Sequence, residues 1–179
     1  MVASLYLINF LFDAYVMVIL LRMWMQFARA DYYNPFSQFV VKATQPVAGP
    51  LRRVIPPIGR FDTALFVFAF LVMIAKIFTL QAMFGSGAAF PPVIAILIGT
   101  FKALIVQFLN LVFYILIVRA ILSFVSQGTN PIENVMMQLT EPFLAPVRKI
   151  IPPIGGLDFS ILVVILALQF VTRLIEHGF

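Results

Sequence analysis

NPFSQFVVKATQPVAGPLRRVIPPIGRFD, residues 34–62, returns as NPIENVMMQLTEPFLAPVRKIIPPIGGLD, residues 130–158, at an offset of 96 positions. The two copies share 12 of 29 residues: Asn34/Asn130, Pro35/Pro131, Thr44/Thr140, Pro46/Pro142, Pro50/Pro146, Arg52/Arg148, Ile55/Ile151, Pro56/Pro152, Pro57/Pro153, Ile58/Ile154, Gly59/Gly155 and Asp62/Asp158. Most of these fix a backbone or carry a charge, so they are not interchangeable core fillers. Each copy also lies between two long apolar stretches. A duplicated unit of span, loop and span is therefore the architecture from which function must be read.

The rest of the chain supports that frame. Hydrophobic residues make up 63% of the sequence and charged residues 11%, against about 25% charged in a soluble domain. A bilayer core needs roughly 20 apolar residues in a helix. Four blocks meet that requirement, at about 2–24, 64–84, 93–118 and 159–175. A soluble fold of this length has no way to hide four such surfaces from water. The expected fold is all-α and polytopic, with four transmembrane helices from two tandem helix–loop–helix repeats. Repeat one is 1–84 with loop 29–62, 85–92 is an outer hairpin, and repeat two is 93–179 with loop 125–158. No basic residue precedes the first block, which is too long for the core of a secretion signal, so it is expected to remain a span. With no cysteine in the chain, disulfides, thiolate metal sites and thioether haem attachment are excluded.

Charge sets the expected orientation. The first loop carries Arg29, Lys42, Arg52, Arg53 and Arg60 against Asp31 and Asp62; the second carries Arg148 and Lys149 against Glu133, Glu141 and Asp158. The hairpin Gly85 to Pro92 has no charge. Loops rich in Lys and Arg stay cytoplasmic. Both loops are thus expected to face the cytoplasm, with both termini outside. Two spans per repeat give both copies one orientation, related by an axis along the membrane normal. Topology accounts for the net charge of +5, and direct nucleic-acid binding is not expected.

Within each loop, Asn34-Pro35 and Asn130-Pro131 read as an N-cap followed by proline at the first helical position. Phe36, Phe39, Val40 and Ala43 then recur at helical spacing, as do Ile132, Val135, Met136 and Leu139. This predicts a short amphipathic helix in the headgroup layer, or else one packed on its own loop. Pro46 and Pro142 are expected to end it and open a second short helix carrying the basic pair. The Pro-Pro-Ile-Gly steps stop that second helix, because proline lacks an amide and glycine permits the turn back. Asp62 and Asp158 fall where a carboxylate caps the next span. Arg52, Arg53, Arg148 and Lys149 are expected at phosphate depth, touching lipid or pairing with these aspartates. A dedicated site for a partner or anionic ligand is the sharper alternative.

Some polar residues fall inside the spans. Arg22 and Arg119, matched at an offset of 97, are expected to snorkel to the inner surface. Asp13 lies 11 residues from Trp24, hence about 17 Å below the inner surface, and Lys76 lies 12 residues from Ala64, hence about 18 Å deep. A lone charge at that depth costs about 2.5–3.5 kcal/mol on insertion scales. The two are therefore expected to pair, or to share a polar cluster with Asn9, Gln107 and Asn110. The pairing reads as a structural lock or, more sharply, as part of an ion or proton path. No catalytic set is present: the one histidine, His177, stands near the end of the chain, and the acidic residues lack metal-ligand spacing. Neither an enzyme nor a bound cofactor or metal is expected.

Asn-Pro, Thr-x-Pro, x-Pro-x-Arg and Ile-Pro-Pro-Ile-Gly-x-x-Asp leading into a span, with Arg119-Ala-Ile-Leu-Ser-Phe before the second copy, resemble the YggT (YlmG) family across essentially the whole chain. The second copy is closer to that pattern; in the first, Gln26 replaces the serine seen at Ser123 and Arg60 interrupts the glycine-rich step. The resemblance implies an integral membrane protein without established catalytic activity. It also implies links to cell division and nucleoid organisation, to osmotic tolerance and, in plastids, to thylakoid biogenesis and cytochrome b haem maturation. Without cysteine or paired histidines, this chain is not expected to hold haem itself. The expected function is a scaffold or assembly factor acting through its two loops. The expected partners are the bilayer with its anionic headgroups, an unidentified membrane protein, and further copies of the chain. The alternative is an oligomeric ion-conducting or osmoregulatory assembly using Asp13 and Lys76.

Overall fold

The computed structural model describes residues 2–85, 90–125, 130–151 and 158–178. Among the described residues six helices follow in order: α1 Val2–Ala28, α2 Pro35–Val54, α3 Thr63–Phe84, α4 Val93–Val125, α5 Pro131–Arg148 and α6 Phe159–Gly178. Four of them contain stretches long and apolar enough to cross a bilayer: Ala3–Ala28, Thr63–Phe84, Val93–Leu122 and Phe159–Gly178. The protein is all-helical and multi-pass, as the apolar blocks predict. α4 runs past the expected end near 118, because Arg119 to Val125 contains neither proline nor glycine to stop it.

Helix ends follow local chemistry. α1 closes with Ala30 N–H donating to Met25 O at 2.9 Å and Arg29 N–H to Gln26 O at 3.3 Å. That is a Schellman motif, with Arg29 at φ 54° in the left-handed position glycine usually fills. Asn34 Oδ1 accepts from Phe36 N–H at 3.0 Å, and Asn130 Oδ1 from Ile132 N–H at 2.9 Å. Each side chain caps a helix that opens with proline.

The expected pair of short helices in each loop is not formed. α2 and α5 each run unbroken through two prolines, Pro46 and Pro50, and Pro142 and Pro146. The prolines stand four residues apart and are exposed, as are Lys42 and Gln138 one turn earlier. The carbonyls that lose an amide partner thus lie on the outward stripe, where water or headgroups can solvate them. The opposite stripe keeps its packing: Val40, Thr44 and Ala48 on α2, and Met136, Thr140 and Leu144 on α5, are buried.

Two compact units emerge, Met1–Met23 with Val40–Phe108, and Trp24–Phe39 with Leu109–Phe179. In the first, Val16, Ile19, Leu20, Leu65, Phe68, Ala69 and Leu104 are buried, and Tyr15 meets Phe68 edge to face at 5.8 Å. In the second, Trp24, Leu111, Val112, Leu116, Val135, Leu139 and Ile161 are buried, and the Trp24 ring meets Phe143 at 5.9 Å.

Candidate functional site in the repeated loops

The first loop is held by two arginines. Arg22, buried in α1, donates through Nη1 to Thr44 Oγ1 at 2.7 Å and to Val41 O at 3.3 Å, and through Nη2 to Gln45 Oε1 at 2.6 Å. Thr44 is fully buried and its hydroxyl donates a hydrogen bond to Val40 O at 2.9 Å. These bonds fall just before Pro46, bracing α2 where its backbone ladder loses a rung. At the far end, Arg52 grips Asp62 through Nε at 2.9 Å and through Nη2. Asp62 is 1% exposed and caps α3 through Leu65 N–H at 3.1 Å. Between them Gly59, at φ 60°, turns the chain, with Ile58 and Phe61 exchanging two 3.0 Å backbone bonds. Thr63 Oγ1 closes the turn onto Pro56 O at 2.6 Å.

The second loop repeats the plan with one change. Arg119, buried in α4, donates to Thr140 Oγ1, and Thr140 to Met136 O at 2.7 Å. Arg148 grips Asp158 through Nε at 2.8 Å and Nη2 at 2.6 Å, and Asp158 Oδ1 accepts from Ser160 N–H at 3.1 Å. Where α2 has Gln45, α5 has Glu141. That carboxylate lies 3.4 Å from Arg119 and 2.9 Å from Arg148, bridging both arginines. The second clamp thus balances two cations with two carboxylates, whereas the first has two cations, one carboxylate and an amide. Burial opposes the Asp158 charge, but the bonds from Arg148 and Ser160 outweigh it and hold the carboxyl below its ordinary range. Arg148 is likewise pushed up: burial acts against it, and Asp158 and Glu141 more than compensate.

Arg22 and Arg119 do not snorkel. Each is buried, because a threonine hydroxyl and the next residue's side-chain oxygen meet the guanidinium inside the protein. Arg52 and Arg148 turn to the aspartates, while their neighbours Arg53 and Lys149 are exposed, as are Pro56 and Pro57. Asn34, besides capping α2, donates through Nδ2 to Pro131 O at 2.6 Å. Pro152, Pro153 and Gly155 lie outside the described residues. Lys76 Nζ meets Asp13 Oδ1 at 2.7 Å, and Gln107 Nε2 donates to Asp13 O at 3.0 Å. Asn9 instead bonds Leu5 O in its own helix, and Asn110 is half-buried on α4. Sequence reasoning missed the roles of Thr44, Gln45, Thr140 and Glu141. The signal was there: Thr44/Thr140 recurs at nearly the same offset as Arg22/Arg119.

The family model described as CCB3/YggT matches residues 1–83 and 93–178, one match per repeat. A Vibrio alginolyticus relative, "Uncharacterized protein in proC 3'region", is 52% identical over 92% of this chain and 89% of its own length. "Uncharacterized protein YggT" of Escherichia coli K12 is 44% identical over 93% of this chain and 85% of its own. "YlmG homolog protein 2, chloroplastic" of Arabidopsis thaliana is 37% identical over 38% of this chain and 27% of its own. No solved structure matches the chain. With both repeats matched by the family model and close relatives along nearly its whole length, the chain belongs to the CCB3/YggT family.

Proposed function

We propose that this chain is a non-enzymatic protein of the bacterial inner membrane that organises or assembles other membrane components, in membrane biogenesis or division. It acts through its two loops on the cytoplasmic face. The observation that carries this reading is the doubled clamp. In each copy a buried arginine of one span fastens the loop helix, and a second arginine at the helix end fastens the cap of the next span. Such a frame makes the loop a stiff platform, leaving Arg53 and Lys149 outward to meet phosphates or an acidic partner surface. The Lys and Arg content of both loops supports their cytoplasmic placement.

The test pairs proximity crosslinking from the loops in cells with flux in liposomes. The reading expects reproducible membrane-protein neighbours that are lost in an Arg53→Ala, Lys149→Ala double variant, and no potassium or proton flux. A second reading, an oligomeric conducting or osmoregulatory assembly, draws on the Asp13–Lys76 pair inside the spans. Specific flux abolished by Lys76→Ala would establish that reading and overturn the first.

A further inference from the structure

We propose that α2, and not its counterpart α5, is the element with which this protein grips an anionic lipid surface. The inference deepens the loop reading above and rests on it. At 100° per residue α2 divides into three strips. Ser37, Val40, Thr44 and Ala48 are buried against the protein. Phe39, Ala43, Pro46, Val47, Pro50 and Val54 form a wholly apolar strip that is exposed, Phe39 at 65% and Val54 at 80%. Beside it runs a polar strip holding Gln38, Lys42, Gln45 and Arg53. Lys42 and Arg53 are exposed along the border of the apolar strip.

α5 has the same register but not the same surface. The counterparts of Phe39 and Ala43 are Val135 and Leu139, both 0% exposed. The 24–34 segment lies along this helix. Trp24 packs on Phe143, Asp31 N–H donates to Gln138 Oε1 at 2.9 Å, and Asn34 reaches Pro131 O. Charge differs as sharply. α2 carries Lys42, Arg52 and Arg53 with no acidic residue, whereas α5 with its C-cap carries Glu133 and Glu141 against Arg148 and Lys149.

Those differences identify the occupant of the α2 surface. An apolar strip edged by cations matches a monolayer that offers acyl chain beside anionic phosphate. Six residues link α2 to α1 and eight link it to α3, so both its ends are tethered beside spanning helices. A second copy is disfavoured, because two such faces would bring like charges together.

The chain has no cysteine, so single cysteines can be labelled without background. Val47→Cys and Phe143→Cys are matched positions, 40% and 36% exposed. Each full-length protein is labelled with NBD and reconstituted in phosphatidylcholine vesicles, with or without one third phosphatidylglycerol and a headgroup-depth spin-labelled quencher. The α2 label should quench more strongly when phosphatidylglycerol is present. That gain should fade with salt, and its dependence on anionic lipid should fall about fivefold for each of Lys42→Gln and Arg53→Gln. The α5 label should not respond to lipid charge. Quenching at both labels without any lipid-charge response at Val47→Cys overturns this inference alone, as does an equal response at both. A response reproduced by inorganic phosphate with phosphatidylcholine vesicles also overturns it, as do disulfide-linked dimers of Phe39→Cys. If neither label is quenched in any vesicle, the loops are not at the membrane surface and the reading beneath it fails too.

Discussion

Asp62 is the place where the clamp can be measured as energy. Its carboxylate performs two jobs with separate atoms: Oδ1 caps α3 through Leu65, and Oδ2 takes the Arg52 guanidinium. Losing an aspartate cap costs about 1 kcal/mol. Breaking a buried pair by removing one partner costs about 3–5 kcal/mol, and the 31% exposure of Arg52 puts this pair at the lower end. Asp62→Ala should therefore destabilise the protein by about 4 kcal/mol. Asp62→Asn, which keeps a capping oxygen, should lose about 1 kcal/mol less. Arg52→Ala leaves a carboxylate at 1% exposure without this guanidinium and should cost about 3 kcal/mol. The double variant should cost little more than Asp62→Ala, giving a coupling of about 2–3 kcal/mol. The assay is equilibrium unfolding in mixed micelles, followed by circular dichroism and by Trp24 fluorescence. Additive losses, with a coupling below about 0.5 kcal/mol, would refute the claim that the pair acts as a unit.

Other outcomes follow from the same geometry. Thr44→Val and Thr140→Val keep volume but take a hydroxyl from a buried guanidinium, and each should cost about 1–3 kcal/mol in the same titration. Asp13→Asn and Lys76→Met should each destabilise about as much alone as together; additive effects would mean the 2.7 Å contact holds nothing. Arg29→Gly relieves a left-handed arginine at the close of α1 and should stabilise by about 1 kcal/mol. For Asp158 the folded carboxyl titrates below its unfolded value. Its contribution is therefore complete above the unfolded pKa of about 3.9 and is lost as pH falls through the lower folded value. Wild type should lose stability relative to Asp158→Asn only under acid below about pH 4, and a difference that instead faded near neutrality would contradict that assignment.

The repeat, the spans and the capping asparagines are written in one dimension, and so they are legible without a fold. Depth along a span is likewise one-dimensional, which is why Asp13 and Lys76 can be matched before any contact is known. The prolines mislead because the rule against helical proline assumes a freed carbonyl with nowhere to go. Here the four-residue spacing of Pro46 and Pro50 confines the loss to an exposed stripe. Arg22 and Arg119 mislead for the opposite reason. Snorkelling treats a span as isolated, and Thr44 and Thr140 become acceptors only when a later helix folds back. The differing exposure of Phe39 and Val135 is tertiary altogether, since packing along α5 by the 24–34 segment depends on contacts such as Trp24 with Phe143.

Side-specific thiol labelling bears most directly on the whole account. Arg53 and Lys149 are matched, both exposed, and stand next to the clamp arginines Arg52 and Arg148; Phe90 is exposed in the segment joining the repeats. Single cysteines at Arg53 and Lys149 should resist a membrane-impermeant maleimide in intact spheroplasts and react in inverted vesicles, with Phe90→Cys behaving the other way round. Modification of either Arg53→Cys or Lys149→Cys from outside would mean that the two loops do not share the cytoplasmic face.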